Sequence, residues 1–560
     1  MDKIATPQKI KLNTKVAVII ISLITSLTAC YFAAPTVFGG RDQGAIAIAA
    51  INLTKFKSFT FSTPVSKDLF QKYGSGKALN FPGFDYTKDG RLASRFPKAY
   101  IVYLAGCYSL FGLKGIQFVN FVPLFLFFTL FWLTLRQFFP EKISFLGFLT
   151  ATTFFPFLWF AKYTLTEIFM LFLVWTGIYF LLKFQGSTLK SEKVEPFYLY
   201  ISLAVFGLSA LARIEGIVFY LLAVIYSLFL LSSRAQSRDL RALANSKPLP
   251  ANADSSTRSD ATSELSRNDK MKTLLIIFTL FLLILYGSLN FPAFLDSAKN
   301  IVKAFLPNST KNSALSINLY SHLFTLFLNY GFLIYVVLGM AGIILLAKKI
   351  RNNWTKPEFL IISILFPSYF YFISPMISLD DPWLFRRFVF SVFPSLIFYS
   401  IYFLNRYNKN KILINAIFAA LIISNLLITS QYVTYSENKN LLPQVESLSK
   451  KFGDNDLILI DRLASGSGWS LISEPLSALY NKQAVYFFNA EDLKFIDRNN
   501  FKNVYLIAPL DGKQTWHDNL NKELASTVAI DNNYLKESDR LFSLSQNFDT
   551  IIISGIWKIK

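Results

Sequence analysis

Residues that build metal and disulfide sites are scarce in this chain. Its 560 residues include only two cysteines and two histidines. Cys30 and Cys107 both lie in apolar surroundings, so a disulfide framework or a cysteine-based zinc site is not expected. With His322 and His517 as the only histidines, histidine-based metal chemistry is not expected either.

Charged residues are also scarce, at 16% of the chain, whereas about 25% is usual in soluble domains. Hydrophobic residues make up 53%, with 58 phenylalanines. They come in nearly uncharged blocks of about 16 to 25 residues, the length at which a helix crosses a hydrocarbon core of roughly 30 Å. This pattern excludes a water-soluble enzyme and predicts membrane-spanning helices.

The formal net charge of +21 belongs to the membrane part of the chain. Residues 431–560 contain 14 Lys and Arg against 16 Asp and Glu, so this region is slightly acidic. Cytoplasmic loops of membrane proteins ordinarily carry a basic excess. Nucleic-acid binding is therefore not expected.

The apolar blocks predict about eleven spans. They are 16–35, 116–135, 143–160, 167–182, 197–212, 216–231, 273–290, 323–347, 358–373, 388–404 and 412–430. The first is too long for a cleaved signal peptide and resembles a signal-anchor. The apolar segment 99–112 has only fourteen residues, which is typical of an interfacial or re-entrant helix.

The distribution of basic residues predicts the orientation. If 99–112 does not span, the loops on the side of the N-terminus hold 24 Lys and Arg, and the short loops on the other side hold 7. The positive-inside rule then places the N-terminus in the cytoplasm and 99–112 at the outer interface. A multi-pass protein of the plasma or inner membrane, with an extracytoplasmic C-terminus, is expected.

The expected architecture is an all-α polytopic membrane domain followed by a small soluble α/β domain. Residues 1–430 form the first, including a first external loop with an interfacial helix at 36–115 and a disordered cytoplasmic linker at 232–272. Residues 431–560 contain short β-rich runs separated by polar helical stretches. The stretch LASGSGWS at 463–470 is weak evidence for nucleotide binding, and a plain loop is the simpler interpretation.

Candidate chemistry begins just after the first span, in GGRDQG at 39–44. Its glycines allow a ligand to approach the backbone closely, and Asp42 would lie at the membrane surface. The alternative is that Asp42 is a solvated loop residue or the N-cap of a helix over 45–52.

Further charged residues fall on the same predicted external face. They are Lys162, Glu167, Arg213, Glu215, Asp380, Asp381, Arg386 and Arg387. Ionisable groups at span ends often mark a polar cavity, although any single one can be an interfacial residue that extends toward water. Their occurrence together on one side favours a common site.

The order of these motifs resembles the GT-C class of membrane glycosyltransferases, relatives of the protein O-mannosyltransferases and of the lipid A aminoarabinose transferase. In that class an Asp follows the first span, as Asp42 does, and a short interfacial helix that begins near a proline comes next, as in 96–112. YTLTEIF at 163–169, ARIEG at 212–216 and DDPWLFRRFVFSVFP at 380–394 are similar to the later motifs. The resemblance covers about residues 10 to 400 and lies in the order and placement of the motifs more than in their exact residues.

The resemblance implies transfer of a sugar from a polyprenyl-phosphate donor to a glycan, lipid or protein acceptor of the cell envelope, at the outer face of the membrane. Asp42 would then be the general base, because attack at an anomeric carbon requires removal of the acceptor hydroxyl proton. Glu167 would orient the acceptor or support the base.

The departing phosphate requires cations, for which Lys98, Arg213, Arg386 and Arg387 are the candidates. Arg41, Glu215, Asp380 and Asp381 are secondary candidates. The class often has a second acidic residue beside the first Asp, but this chain has Gln43. A metal-independent reaction is therefore expected, with Mg²⁺ or Mn²⁺ held by Asp42 and Glu167 as the alternative. The alternative function is a transporter or flippase for a lipid-linked sugar.

Overall fold

The computed structural model describes twelve stretches of the chain. They are residues 12–38, 42–190, 196–244, 273, 275–288, 313–350, 356–373, 380–407, 410–465, 471–510, 516–536 and 543–560. Most of this structure is helical, and a sheet domain follows at the C-terminus. A mostly helical part and a C-terminal sheet domain are thus both present as expected, but the part expected to be all-α also contains a small antiparallel sheet.

Helices dominate the chain up to residue 432. They are α1 (Leu12–Tyr31), α2 (Asp42–Phe56), α3 (Pro64–Tyr73), α4 (Lys98–Phe111), α5 (Leu113–Gln117), α6 (Phe121–Phe138), α7 (Glu141–Thr152), α8 (Phe155–Phe160), α9 (Thr166–Lys190), α10 (Pro196–Ala212), α11 (Ile214–Ala244), α12 (Leu275–Ser288), α13 (Ser313–Asn329), α14 (Leu333–Ile350), α15 (Pro357–Leu365), α16 (Val392–Tyr407) and α17 (Lys411–Tyr432). Two 3₁₀ helices, Phe366–Phe372 and Trp383–Arg387, precede α16.

Five helices among the described residues are long and apolar enough to cross a membrane. They are Asn13–Tyr31, Leu113–Phe138, Thr166–Ser187, Ile214–Ser232 and Lys411–Tyr432. Shorter apolar helices occupy Pro196–Ala212, Leu275–Ser288 and Pro357–Phe372, within or near three further predicted spans. The predicted count of about eleven spans is therefore not confirmed.

Helix breaks explain much of this difference. The predicted span 143–160 is divided into α7 and α8, with Pro156 in the first turn of α8. The predicted span 323–347 is also broken, because α13 and α14 meet at an angle of 104°. Gly331, with a φ of +66°, lies at this bend. A hydropathy pattern records apolar character and does not report such breaks.

One predicted boundary also changes. Residues 232–272 were expected to be a disordered linker, but α11 continues through 232–244 as far as Ala244. The segment SRAQSRDLRALA is rich in Ala, Leu and Arg, which are strong helix formers, so it extends the helix without needing a core. Residues 245–272 lie outside the described residues.

The segment between α1 and α6 is a folded unit. Strands β1 (Thr60–Phe61), β2 (Gly76–Lys77), β3 (Phe84–Tyr86) and β4 (Leu92–Ser94) form an antiparallel sheet in the order β1-β4-β3-β2. Helix α4 follows Pro97 and packs on α2. Its fourteen residues span about 21 Å, which is too short for a hydrocarbon core.

The C-terminal domain contains a mixed five-stranded sheet in the order β6-β5-β7-β9-β8. Its strands are β5 (Asp456–Ile460), β6 (Gln483–Tyr486), β7 (Asn503–Pro509), β8 (Lys522–Lys536) and β9 (Gln546–Ile559). Helices α18 (Leu441–Ser449) and α19 (Ser473–Ala478) accompany it, with 3₁₀ helices at Ala490–Phe495 and Arg498–Asn500. Strands β5, β6 and β7 run parallel, and the connection from β5 to β6 contains α19, whereas β9 pairs antiparallel with both β7 and β8.

The C-terminal domain shares a hydrophobic core with the segment that follows α1. Val65 and Leu69 of α3 are buried together with Leu457, Val485 and Leu506 of the sheet. The two regions therefore lie on the same side of the helical domain, whichever side of a membrane that is.

Polar contacts reinforce this junction. Lys72 and Tyr73 of α3 both bond to the buried carboxylate of Asp492 in the C-terminal domain.

Lys162 contacts the end of α17. Its ammonium group donates to the carbonyl oxygens of Tyr432, Val433 and Tyr435, at 2.6 to 2.7 Å. Lys162 thus stabilises a helix C-terminus, where a cation is favourable.

Candidate active site

Six charged side chains from distant parts of the chain form one hydrogen-bonded network, which we call the charged network. Its members are Asp42, Glu167, Arg213, Glu215, Arg386 and Arg387. Three carboxylates and three guanidinium groups balance one another in formal charge. Burial of charges in a membrane protein requires this kind of pairing.

The local fold explains how the three carboxylates are positioned. Asp42, Glu167 and Glu215 each lie in the first turn of a helix, in α2, α9 and α11 respectively. The N-terminus of a helix carries a partial positive charge, so a carboxylate is favourable there. The same helix ends also bring the carboxylates to one level of the helical domain.

Arg386 links two of these carboxylates. Its Nη1 group donates to Oδ2 of Asp42, and its Nε group donates to Oε1 of Glu167. The side chain of Asp42 is 46% exposed, whereas that of Glu167 is fully buried. Arg386 therefore holds an accessible carboxylate on one edge and an inaccessible one on the other.

Glu167 is the buried centre of the network. Its Oε1 atom also accepts a bond from Nη1 of Arg213, which donates to the Thr166 hydroxyl at 3.0 Å as well. Glu167 is fully buried, and its contacts position the two arginines. Its predicted role, to orient the acceptor or to support the base, stays a prediction.

The second half of the network surrounds Glu215. Arg213 donates to both of its carboxylate oxygens at 3.0 Å, in the bidentate geometry that suits guanidinium. Nη1 of Arg387 and the hydroxyl of Tyr371 each donate to Oε1 at 2.7 Å. Arg213 also lies over the ring of Phe390, 4.9 Å from its centroid.

Arg387 retains hydrogen-bonding capacity. Its side chain is 25% exposed, and its bond to Glu215 uses one of its five N–H groups. Among the described residues, its Nε group is buried and has no hydrogen-bond acceptor. Such an atom is costly unless a ligand or water satisfies it, so it marks a place where an anion can bind.

The charge state of Asp42 follows from its neighbours. Burial by itself raises the pKa of this carboxyl, but the charge and hydrogen bond of Arg386, with Arg387 and Arg213 farther away, lower the pKa below its usual range. Asp42 is therefore ionised at neutral pH. The arginines thus outweigh the effect of burial on the proton affinity of this carboxylate.

The two carboxylates proposed as alternative metal ligands are both paired with an arginine in the described structure. Both Asp42 and Glu167 are bonded to the same guanidinium, which occupies the position between them. Mg²⁺ and Mn²⁺ require free oxygen ligands. In the described part of the chain, no group of three or more His, Cys, Asp or Glu side chains is arranged to hold a metal ion.

Three other sequence candidates lie elsewhere. Lys98 donates to the carbonyl oxygen of Ser94 at 2.8 Å and is joined by no described bond to the charged network. Asp381 is buried and accepts a bond from Ser545 in the C-terminal domain at 2.8 Å, so it joins the two domains. Asp380 precedes it, and the carbonyl oxygen of Asp380 accepts a hydrogen bond from the backbone N–H of Leu384. Arg41 lies outside the described residues, as does most of 463–470.

Tyr371 and Thr166 are bonded to the charged network but were not among the candidates selected from the sequence. Tyr371 belongs to the apolar aromatic run FPSYFYF, in which nothing distinguishes a functional tyrosine from a packing one. Thr166 directly precedes Glu167, so its place beside a polar site was the one available signal.

Gly83 holds the segment between α2 and α4 against the helix that carries Asp42. A Cβ atom at this position would overlap the side chain of Ala45, three residues after Asp42, and the φ of Gly83 is +84°. We expect Gly83→Ala to lower the free energy of unfolding by about 1–3 kcal/mol and to reduce activity by displacing α2. Thermal unfolding of the purified chain measures the first effect.

Gly74→Ala is the matched control for this substitution. Gly74 also has a positive φ, of +63°, but its added Cβ would meet no atom within 4 Å. It therefore tests backbone strain without the clash. Equal melting temperatures for the two variants would show that contact with α2 does not matter.

Known proteins resemble this chain in fold. No family model matches its sequence, and neither does any curated protein. The archaeal oligosaccharyltransferase AglB from Archaeoglobus fulgidus, in complex with an inhibitory peptide and a dolichol-phosphate, matches 88% of this chain and 69% of its own, with a TM-score of 0.51 and 12% identity. ArnT from Cupriavidus metallidurans, solved in the apo state, matches 96% of this chain and 97% of its own, with a TM-score of 0.51 and 11% identity.

AglB and ArnT are both GT-C glycosyltransferases. This chain has the GT-C fold. ArnT bound to undecaprenyl phosphate matches with the same coverage and TM-score as the apo form. The resemblance expected from the order of motifs is therefore confirmed at the level of fold.

Proposed function

We propose that this chain is a membrane glycosyltransferase that moves a sugar from a polyprenyl-phosphate donor to an acceptor at the outer face of the membrane. One observation carries the proposal: within a GT-C fold, an accessible carboxylate, Asp42, is bonded to Arg386, and Arg387 follows with unused donors. This arrangement combines a proton acceptor with cations for a phosphate. The polyprenyl phosphates bound by AglB and ArnT support the choice of donor.

The proposed reaction is a single displacement at the anomeric carbon. The acceptor oxygen forms a bond to this carbon while the bond from the carbon to the phosphate oxygen breaks, and the phosphate leaves with the electron pair. Asp42 takes the proton of the acceptor hydroxyl. No proton donor is needed for the leaving group, because a phosphate can depart as an anion stabilised by arginine.

The low pKa of Asp42 fits a base that is strengthened only when the donor is present. In the described structure, Arg386 bonds to Asp42. A donor phosphate beside Arg386 and Arg387 competes for these guanidinium groups and adds negative charge near Asp42. Both effects raise the proton affinity of the carboxylate at the moment when a base is required.

The direct test is a transfer assay. The purified full chain, in lipid nanodiscs, is incubated with radiolabelled polyprenyl-phosphate sugars and with an extract of cell-envelope glycans and lipids as acceptors. We expect radiolabel to move from the donor to an acceptor that separates from it on thin-layer chromatography. Failure to transfer from every donor of this class overturns the proposal.

A transporter or flippase for a lipid-linked sugar remains the second candidate. The 104° bend between α13 and α14 favours it, because broken helices are frequent at transporter binding sites. Liposomes that contain the chain and a fluorescent lipid-linked sugar distinguish the two functions. A flippase exposes the sugar on the opposite leaflet without breaking its bond to phosphate, whereas the enzyme produces free polyprenyl phosphate.

We further expect the reaction to be independent of divalent metal. The reason is geometric, since Arg386 occupies the position between the carboxylates of Asp42 and Glu167. Transfer rates measured before and after dialysis against EDTA should agree within about twofold. A loss of activity that added Mg²⁺ or Mn²⁺ restores would contradict this expectation.

A further inference from the structure

Helix α13 does not continue into the apolar helix that follows it. The two described parts of this helix pair, Tyr320–Asn329 and Leu333–Lys349, meet at an angle of 104°. Helix α14 has 18 residues and is therefore about 27 Å long, close to a hydrocarbon core of roughly 30 Å. It can cross the membrane by itself, which leaves α13 without a place in that span.

The end of α13 lies where the spans meet the C-terminal domain. Tyr330 directly follows α13, and its hydroxyl shares a hydrogen bond of 3.3 Å with the hydroxyl of Tyr432. Tyr432 is the last residue of α17, one of the helices long enough to cross a membrane. Asn329 donates to the carbonyl oxygen of Ser543 in the C-terminal domain at 3.1 Å. The end of α13 is therefore at the membrane surface on the side of this domain.

The angle between the two helices determines the direction of α13. If α14 follows the membrane normal, α13 lies about 14° from the membrane plane, and a usual span tilt of about 20° changes this to at most about 34°. Over Tyr320–Asn329 the helix then changes depth by at most about 8 Å, whereas a straight span would change by about 15 Å. Helix α13 therefore runs along the membrane surface.

One face of α13 is exposed and aromatic. Tyr320 is 49% exposed and Phe324 is 56% exposed, and residues four apart lie on the same face of a helix. Leu323 and Phe327, by contrast, are buried. No Lys, Arg, Asp or Glu occurs between Tyr320 and Asn329. Exposed rings on an uncharged helix at this level suit the boundary between lipid headgroups and acyl chains, where tyrosine is enriched.

The buried side of α13 contacts the segment that carries two arginines of the charged network. The centroid of the Phe327 ring lies 5.8 Å from that of Phe385 and 5.6 Å from that of Phe388. In the chain, these two rings directly flank Arg386 and Arg387. The arginine pair is thus separated from the surface helix by a single layer of aromatic rings.

We propose that α13 binds the surface of the lipid bilayer through Tyr320 and Phe324 and thereby holds Arg386 and Arg387 at the level of the lipid headgroups. Binding to the bilayer can be measured without catalysis. Its consequence rests on the proposed function, because the charged phosphate of a polyprenyl phosphate stays out of the hydrocarbon core. A donor can then reach both arginines while its chain remains in the membrane.

Depth-dependent fluorescence quenching tests the placement. The two native cysteines of the full chain are replaced by alanine, and a fluorophore is attached to one new cysteine at a time in nanodiscs whose lipids carry a nitroxide either at the headgroup or deep in the acyl chain. The labelled variants are Tyr320→Cys, Phe324→Cys, Ile334→Cys and Ile344→Cys, all at exposed positions. We expect the headgroup nitroxide to quench the first three labels more strongly and the deep nitroxide to quench the fourth more strongly.

The position of Ile344 is the matched control for depth, since it lies ten residues, about 15 Å, beyond Ile334 in α14. Stronger quenching of the Ile334→Cys label by the deep nitroxide would indicate one straight span and overturn the inference. Labels on α13 that aqueous iodide quenches and neither lipid does would place this face in water. Labels shielded from all three quenchers would indicate a protein partner, and both results overturn the inference as well.

A charge on the exposed face tests the link to the arginines. Phe324→Asp should lift α13 toward water, because a carboxylate is costly in lipid, and so increase iodide quenching of the Tyr320→Cys label by about twofold. In nanodiscs, the same substitution should raise KM for a polyprenyl-phosphate sugar by about tenfold, because weaker donor binding raises KM. In detergent with a short-chain donor, where no bilayer surface exists, KM should match that of the wild type.

Ile553→Asp places the same charge on an exposed apolar position of the C-terminal sheet and should leave KM unchanged in both media. An unchanged KM for Phe324→Asp in nanodiscs, or an equal rise in detergent, overturns the link between the bilayer surface and the arginines. Transfer from no donor overturns the proposed reaction but leaves the placement of α13 to the quenching measurement.

Discussion

Replacing Asp42 by asparagine is expected to lower the rate constant for sugar transfer by about 10²- to 10⁴-fold, the usual contribution of a positioned general base. Asparagine keeps the shape of the side chain and an oxygen for Arg386, but it cannot accept the acceptor proton. Transfer of radiolabel from a polyprenyl-phosphate sugar measures the effect. The melting temperature should change little, because nearly half of the Asp42 side chain is exposed.

Asp89→Asn is the matched control, since Asp89 lies exposed between α2 and α4 and outside the charged network. Its transfer rate should equal that of the wild type. The Asp42→Asn result would count against a base at this position if kcat were unchanged and only KM rose, because that pattern indicates lost binding rather than lost proton transfer.

The acidic side of the pH profile provides an independent check on Asp42. The arginines hold the folded pKa of Asp42 below its ordinary value, so the carboxylate stays ionised as the pH falls through the range where an unperturbed Asp would begin to protonate. Activity in the free enzyme, measured as kcat/KM, should therefore persist down to pH 5. Loss of activity centred above pH 6 would assign the base to another group.

The second large effect is expected at Arg386. Arg386→Lys should lower kcat by about 10²- to 10³-fold, as removal of a single positioned electrostatic donor does in other enzymes. Lysine keeps the positive charge but has no planar fork, so it cannot bond Asp42 and Glu167 at opposite edges. The assay is the same transfer reaction, with the variant reconstituted at equal amounts.

Stability must be measured in parallel, because Arg386 also neutralises the fully buried Glu167. Removing one partner of a buried ion pair can cost roughly 3–5 kcal/mol, so Arg386→Ala is not a clean test. Arg406→Lys makes the same change at an exposed position near the end of α16 and should leave both rate and melting temperature unaltered. An Arg386→Lys variant that is as active as wild type would remove Arg386 from the mechanism.

The two substitutions should not be additive. If Asp42 and Arg386 act as one unit, the double variant loses about as much activity as the more damaging single variant. If the two residues contributed independently, the fold losses of activity in the single variants would multiply in the double variant.

Several properties of the site could be predicted from the sequence because they depend on local composition. Asp42, Glu167, Arg213, Glu215, Arg386 and Arg387 were all selected by sidedness and motif order, and the structure joins all six. The same criteria also selected Lys98 and Asp381, which make other contacts. Being on the same side of a span is a necessary condition for two charges to meet, but it does not specify which pairs do.

The helical domain shows the same limit. Apolar blocks predicted where helices occur, yet the breaks at Pro156 and Gly331 changed how many of them form straight spans. A hydropathy average over eighteen residues is insensitive to one residue that turns the backbone. The extension of α11 to Ala244 was missed for a related reason, because low hydropathy was taken as lack of structure.

The amino-acid sequence by itself determined the membrane-protein class, the α/β character of the C-terminal domain and the set of charged residues from which a site could be built. These follow from hydropathy, alternation and charge, which are properties of neighbouring residues. Only the tertiary structure decided that Asp42 bonds to Arg386 across 344 positions of the chain and that Glu167 is buried between two arginines. Such pairings depend on how helices and sheet pack together, and no local pattern encodes them.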